Sequence, residues 1–424
     1  MKLYLKNIGK IADATIEIKG ITVIGGENNT GKSTVGKSLF SIFNSFYEIQ
    51  KQIREERLLS IKNILQLIYR NSFFYDSGQV KDINVFSKEI LLRADNYKKM
   101  PEVLKEEIVS MFNLTSELGI IFLEGINIDD IVGRIIDILN ISDEVIFNLV
   151  AKKKLNAEFN GQLLNIYSQS EGRISLYVQK EELTVNILED SVSTSGVDYS
   201  LHTEAIYIDD PFVLDNVDFR IGRRRTIYAD HQVQLINKFS LTSDNASVVD
   251  EIIAENKFAK IYEKLAFVCD GNMIQQKNGR LAFQLRNSDK ALSVKNLSTG
   301  LKTFVILKTL LVNGVIEANG TIILDEPEIH LHPEWQLLFA EIIVLLNREF
   351  GVNILLNTHS PYFLRAIQVY SAKYETSDVC KYYLSEIGER GKAYFTDVTD
   401  NVDKIFTKLS IPLQKLEDER WKSD

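Results

Sequence analysis

The chain has 424 residues, 45% of them apolar and 25% charged, with a net charge of −9. That is the balance of an ordinary globular protein with one large core or two to three smaller ones, and it excludes a wholly basic nucleic-acid coat while leaving room for a local basic groove. No uncharged apolar run approaches the about 20 residues of a membrane span, Met1-Lys-Leu-Tyr-Leu-Lys lacks a secretory apolar core, and Cys269 and Cys380 make neither a disulfide framework nor a metal cluster, so a cytoplasmic protein with no membrane contact is expected.

In chain order, Lys2–Asn7 and Ala14–Ile18 alternate as a hairpin, and Ile21–Ile24 is a short apolar strand running into a glycine-rich loop. Val35, Leu39, Ile42, Phe43 and Phe46 then recur at helical spacing. Residues 47–158 are rich in Lys, Glu, Ile and Leu and contain one proline, Pro101. Heptads are not sustained there, so a packed helical insertion is expected and not a long coiled-coil arm. Ile174–Val178 and Leu183–Leu188 read as a second hairpin. Ala205–Ile208 reads as a short strand ended by Asp209-Asp210-Pro211, Ser243–Leu265 as a helix, and Leu281–Leu285 as a strand. From Ser298 the order is helix, strand Thr321–Leu324, helix Glu334–Phe350, strand Val352–Leu356. The two apolar runs suit parallel strands buried on both faces. Lys381–Glu386 and Ala393–Val398 look like strands, followed by a helix from Val402.

Gly26-Glu-Asn28-Asn29-Thr30-Gly31-Lys32-Ser33-Thr34 matches the phosphate-cradling pattern GxxxxGK(S/T), with a strand before it and a helix after it. Its backbone N–H groups and the helix N-terminus suit phosphate. Lys32 is expected to reach the β and γ oxygens of ATP, and the Ser33 hydroxyl to ligate Mg²⁺. Almost 300 residues later, Ile322-Ile-Leu ends in Asp325 and Glu326. Asp325 is expected to hold Mg²⁺ through water, and Glu326 to polarise the attacking water.

Leu297-Ser298-Thr299-Gly300-Leu301-Lys302 resembles the signature motif of ABC-type ATPases, at the place before the acidic strand where that family has it. Thr299 stands where the family has its first glycine, and Leu301 where it has Gln or Glu. The resemblance implies a head-to-tail homodimer in which Ser298, Thr299 and Gly300 of one copy close on the γ-phosphate held by the other. His359, in Asn357-Thr-His-Ser-Pro361, resembles the family's γ-phosphate-sensing switch histidine. His330 and His332, with no Cys or third His nearby, are expected to pack or hydrogen-bond and not to bind metal. The implied fold is α/β, an ABC-type P-loop ATPase head with a mixed sheet and flanking helices, interrupted by a mostly helical insertion. Its expected parts are 1–46 with the P-loop, 47–158 as the insertion, 159–240 with antiparallel strands, and 241–424 with signature, acidic pair and switch histidine. The Q-loop is not assigned, though Asp209-Asp210 stands in that region.

Asp325-Glu-Pro-Glu-Ile-His-Leu-His-Pro333 and Thr358-His-Ser-Pro-Tyr-Phe-Leu364 resemble the overcoming-lysogenisation-defect (OLD) ATPases, and Leu5-Lys-Asn-Ile-Gly9 with Ile16-Glu-Ile18 is similar to the start of RecF and SMC proteins. Only 65 residues follow His359, without the acidic cluster of the Toprim nuclease domain that OLD nucleases carry there. The chain therefore resembles the stand-alone ATPase subunits of anti-phage systems such as Septu (PtuA), which implies a separate effector nuclease or toxin encoded nearby. A RecF-like repair ATPase and a transporter's ATPase subunit are the alternatives. Lys152–Lys154 and Arg223–Arg225, the latter flanked by Phe219, Tyr228 and His231, are the candidate nucleic-acid contacts.

Overall fold

The structure is a computed structural model, and it describes residues 1–70, 77–112, 127–165, 170–189, 191–196, 199–216, 229–239, 258–276, 280–286, 288 and 290–423. Its contacts separate two units, Met1–Tyr47 with Ala151–Asp424, and Glu48–Val150.

The first unit opens with β1 (Lys2–Ile8), β2 (Ile11–Glu17) and β3 (Ile21–Gly26), followed by α1 (Lys32–Phe46). In β1 the apolar Leu3 and Leu5 are buried while Lys2 and Lys6 are exposed, the period of two expected of a half-buried strand. Every residue of β3 is buried, as in a strand covered on both faces.

The second unit holds α2 (Ile49–Arg70), α3 (Ser77–Leu92), α4 (Ala94–Lys99), α5 (Pro101–Met111) and α6 (Ile128–Asn140). Its own core gathers Ile61, Leu65, Ile90, Tyr97, Leu104, Ile108 and Ile135. The Asn127 side chain caps α6 by accepting from the N–H groups of Asp129 and Asp130. The boundary between the units falls within α7 (Asp143–Phe159).

Beyond α7, β4 (Gly172–Val178), β5 (Glu181–Leu188) and β6 (Ser191–Ser195) add antiparallel strands to β1. β7 (Ala205–Ile208) pairs in parallel elsewhere in the sheet, and α8 (Asp230–Phe239) packs on it. Residues 258–266 form α9. A separate sheet holds β8 (Gly271–Gln275), β9 (Leu281–Leu285) and β10 (Ala291–Ser293). Then come α10 (Thr299–Val312), β11 (Thr321–Asp325), α11 (Pro333–Phe350), β12 (Asn353–Thr358), α12 (Pro361–Lys373), β13 (Cys380–Ile387), β14 (Ala393–Asp397) and α13 (Asp403–Ser423).

The large sheet runs β6-β5-β4-β1-β2-β14-β13-β3-β12-β11-β7. The segment β13-β3-β12-β11-β7 is parallel throughout, and the wing from β6 to β2 is antiparallel. Ile322, Leu324, Ile354 and Leu356 face a core shared with α10, α11 and α12. On the other face, α1 lies so close that a Cβ on Gly36 would stand 3.1 Å from Ile323. This is the mixed sheet expected, with flanking helices and an inserted helical region.

Some elements differ from expectation. β6, β8, β10, α8 and α12 were not signalled by periodicity, being short, polar or close to a breaker such as Pro361. Residues 159–240 are not all antiparallel, because β7 and α8 belong to the parallel part. Of the helix expected over Ser243–Leu265, residues 243–257 lie outside the described residues, as do Phe219, Arg223–Arg225 and Tyr228. No helix among the described residues is long and apolar enough to cross a membrane.

Candidate functional site

The glycine loop is set by its neighbours. β3 delivers it at the C-terminal edge of the parallel strands, beside β13. A Cβ on Gly26 would collide with the Ser385 carbonyl and hydroxyl, so only glycine fits there. The Thr30 hydroxyl lies 2.7 Å from Ser385 Oγ and donates to the Glu27 carbonyl at 2.8 Å. Gly31 then takes the left-handed conformation, φ 86°, at the N-cap of α1. The helix start has neither a side-chain cap nor an acidic residue in its first turn, which leaves it suited to an anion. Lys32 is buried and donates to the carbonyls of Gly26 at 3.0 Å and Glu27 at 2.8 Å. Its Nζ lies 3.6 Å from Glu326 Oε1. Burial draws the ammonium below its ordinary pKa, and Glu326 and Asp325 counter part of that.

The acidic strand ends two strands away, across β12. Asp325 accepts from the Tyr207 hydroxyl at 2.9 Å on Oδ2 and from Asn357 Nδ2 at 3.0 Å on Oδ1. Glu326 sits at φ 48°, a left-handed backbone for a non-glycine residue that costs about 1–3 kcal/mol. Its N–H donates to the Asn357 carbonyl at 2.9 Å, which holds that turn. Glu326 Oε1 is 3.5 Å from His359 Nδ1. The contact with His359, and then Lys32, holds the Glu326 carboxyl below its usual range, against burial. The same contact raises the His359 imidazole.

Glu328 was not singled out from the sequence, yet it ties this loop to the histidine. It is 2% exposed. One oxygen accepts from the Thr358 hydroxyl and from the His359 N–H, the latter at 3.2 Å. Burial pushes its carboxyl pKa up, with the Thr358 hydroxyl opposing. Tyr207, Asn357 and Ser385 were missed as well. The available signal was a polar group inside or at the end of an otherwise apolar strand, which must find a partner once buried.

One cavity of about 340 Å³ is lined by Asn29, Thr30, Gly31, Lys32, Ser33, Thr34 and Glu326, together with Gly9, Lys10, Gln162 and Leu164. Gly26 and Asn28 belong to the same loop but do not line it. Asp325 lines an adjoining cavity of about 310 Å³, and Glu326 borders both. Ser298, Thr299 and Gly300 line neither. Ser298 caps α10 by accepting from the Leu301 N–H, and Gly300 packs where a Cβ would stand 2.8 Å from the His330 carbonyl. His332 caps α11, and His330 packs edge-on against Phe212.

Of the basic candidates, Lys154 donates to the Asn44 carbonyl at 2.6 Å. His231, read as a flank of the arginine triplet, is instead 1% exposed and faces Glu158 and Asp209.

The donor set suits a nucleoside triphosphate with Mg²⁺. The cavity is walled by the glycine loop and one buried cation, Ser33 on it is exposed, and Asp325 offers a carboxylate to the adjoining cavity. No group of three or more His, Cys, Asp or Glu among the described residues forms a metal cage. Mg²⁺ keeps several waters and needs only one or two protein ligands.

The chain matches the AAA ATPase domain family over residues 1–364. It is 31% identical over 90 residues to an OLD nuclease of Thermus scotoductus, covering 20% of this chain and 16% of that protein. It is 27% identical over 113 residues to "Retron Vc95 probable ATPase" of Vibrio cholerae, covering 24% of this chain and 21% of that protein. The chain thus spans about a fifth or less of either relative's length. A solved SMC head bound to the C-winged helix domain of ScpA aligns at a TM-score of 0.44 with 11% identity, covering 93% of this chain and 97% of that one.

Proposed function

The chain belongs to the AAA ATPase domain family, and from that premise we propose that it is the ATP-hydrolysing partner of a separate effector nuclease or toxin in anti-phage defence. It binds and hydrolyses ATP as a member of that family, and no nuclease fold is evident among the described residues. The observation that carries the proposal is the cluster at the strand ends. There the Asp325-to-Pro333 phrase brings Glu326 and Glu328 to His359, with Lys32 opposite. The stretches similar to the OLD nuclease and the retron ATPase support reading it as a defence ATPase.

In this reading the loop from Asn29 to Thr34 and Lys32 hold the β- and γ-phosphates. Ser33 and Asp325 would hold Mg²⁺, which would supply charge neutralisation at the phosphates. Glu326, kept ionised by His359 and Lys32, takes the proton of the attacking water. His359 lies against Glu326, where it can respond to the γ-phosphate. In the same reading Ser298–Gly300 of a second copy close on the γ-phosphate in a head-to-tail dimer.

The test is purification from the native operon. The expected result is ATPase activity without DNA cleavage by the chain alone, and a co-purifying nuclease or toxin. Strong Mg²⁺-dependent cleavage by the chain itself would sink the proposal. Neighbouring replication genes with no effector would favour a RecF-like repair ATPase.

A further inference from the structure

Tyr207 lies in β7, the edge strand next to β11, in register with Ile323. Residues two apart on a strand share a face, so Tyr207 is on the side of Ile323 and Asp325. Its side chain is fully buried. The ring packs against both Phe40 of α1, at 6.0 Å between centroids, and His231 of α8, at 4.5 Å, and those two rings are 5.8 Å from each other. A Cβ on Gly36 of the P-loop helix would stand 3.4 Å from the hydroxyl, in contact with it. The hydroxyl donates to Asp325 Oδ2 at 2.9 Å while Asn357 donates to Oδ1 at 3.0 Å. With one donor on each oxygen, the plane of the carboxylate is fixed. Burial, together with Asp325 and Asp209, pushes the phenol pKa well up. The group therefore stays a neutral hydrogen-bond donor.

Against the ring lies a largely buried charge cluster. His231 Nδ1 is 2.8 and 2.9 Å from the two oxygens of Glu158, and the His231 backbone N–H donates to Glu158 Oε2 at 3.2 Å. Its Nε2 is 3.0 Å from Asp209 Oδ2. Glu158 and His231 are 0% and 1% exposed. Burial of such groups is weak evidence of added stability, since apolar residues of like volume often serve as well. What two carboxylates on opposite nitrogens do provide is a single orientation of the imidazole, and so a fixed wall for the Tyr207 ring.

We propose that Tyr207 is a positioning residue that orients the Asp325 carboxylate toward Mg²⁺, and that the Glu158–His231–Asp209 cluster holds the Tyr207 ring for that task. This rests on the reading of Asp325 as the carboxylate that holds Mg²⁺. Outer hydrogen-bond partners of metal-holding groups typically change metal affinity by about 10- to 100-fold. The effect here belongs near the lower end, since Asp325 is read as a carboxylate that would hold Mg²⁺ through water.

The experiment is a Mg²⁺ titration of fluorescent ATP-analogue binding to the full chain, which needs no turnover. In Tyr207→Phe the Mg²⁺ concentration for half-maximal affinity gain should rise about tenfold. Affinity without Mg²⁺ and the melting temperature should stay near parental values. A parental Mg²⁺ midpoint in folded Tyr207→Phe overturns the role of Tyr207. His231→Gln keeps the phenol and should move the midpoint the same way by less; a parental midpoint there overturns the role of the cluster. It also carries the test if Tyr207→Phe does not fold. Asp325→Asn separates the two layers: an unchanged midpoint in that variant removes the underlying reading of Asp325, whatever Tyr207 does.

Discussion

In Glu48–Val150 no charged side chain among the described residues is buried, whereas in Met1–Tyr47 with Ala151–Asp424 Lys32, Glu158, His231, Lys302 and Glu328 are all taken inside, none more than 4% exposed. The helical unit keeps its ion pairs outside, as with Arg93 and Glu107, whose side chains are 47% and 28% exposed. Such pairs are worth about 0–1 kcal/mol. The helical unit is therefore held mainly by its apolar core. The head carries charges that need partners to be tolerated at all, and Lys32, Glu328 and the His231 cluster lie where the parallel strands end. Buried charge marks the working part of this molecule, and its absence marks a part that is scaffold or surface.

If the comparison holds, changes in the head should alter chemistry before stability, and changes in the helical core should do the reverse. The largest effect is expected from Glu326→Gln. It should keep ATP binding and slow turnover about 10³-fold in a phosphate-release assay. Turnover at the parental rate would remove Glu326 from the chemistry.

Next, Ile135→Ala empties a fully buried position of the helical core. It should cost about 2–5 kcal/mol in a denaturant melt of that unit's helical signal. A loss well under 1 kcal/mol would mean the position is not packed as described.

Glu328→Ala leaves the Thr358 hydroxyl and the His359 N–H without their acceptor. Each orphaned buried donor costs about 1–3 kcal/mol, so turnover should fall about tenfold through a misplaced His359, with nucleotide affinity kept. Glu328→Gln retains an acceptor and should recover most of the rate. Equal losses in both variants would show that the charge, and not the acceptor, matters.

The gentlest probe is pH. In the fold the His231 pKa is raised to about 9 by Asp209 and Glu158, against burial, from an ordinary 6.5. Its charge therefore stabilises fully below about pH 6.5, and that contribution is lost as pH rises through about 9. The melting temperature of the parent should drop over that window, and its margin over His231→Gln should narrow. A constant margin from pH 6 to 10 would mean that the imidazole carries no extra charge in the fold.

The two regions also differed in how far they could be read in advance. In the head, the continuous apolar runs at β3, β11 and β12 gave a parallel sheet, and the loop and acidic pair gave two halves of a site that the sheet order brings together. Tyr207, Asn357, Glu328 and Ser385 were not legible, because their roles depend on which strand lies beside which. Ser385 matters only because β13 pairs with β3, more than 350 residues away in sequence. The reading of His231 as a surface flank failed for the same reason: its partners lie on α7 and after β7. The insertion's helical character followed from composition and periodicity, but its surface carries no chemistry that a single sequence spells out.

The claim on which the proposed function turns is that each site is finished by a second copy. Mixing two inactive variants tests it most directly. Lys32→Ala lacks the cation of its own loop, and Ser298→Arg blocks the surface offered to its partner. A mixed dimer holds one site damaged twice and one intact. The account predicts that mixing restores ATP hydrolysis that neither variant shows alone. Folded variants that stay inactive at every mixing ratio, while each still forms dimers, would contradict it.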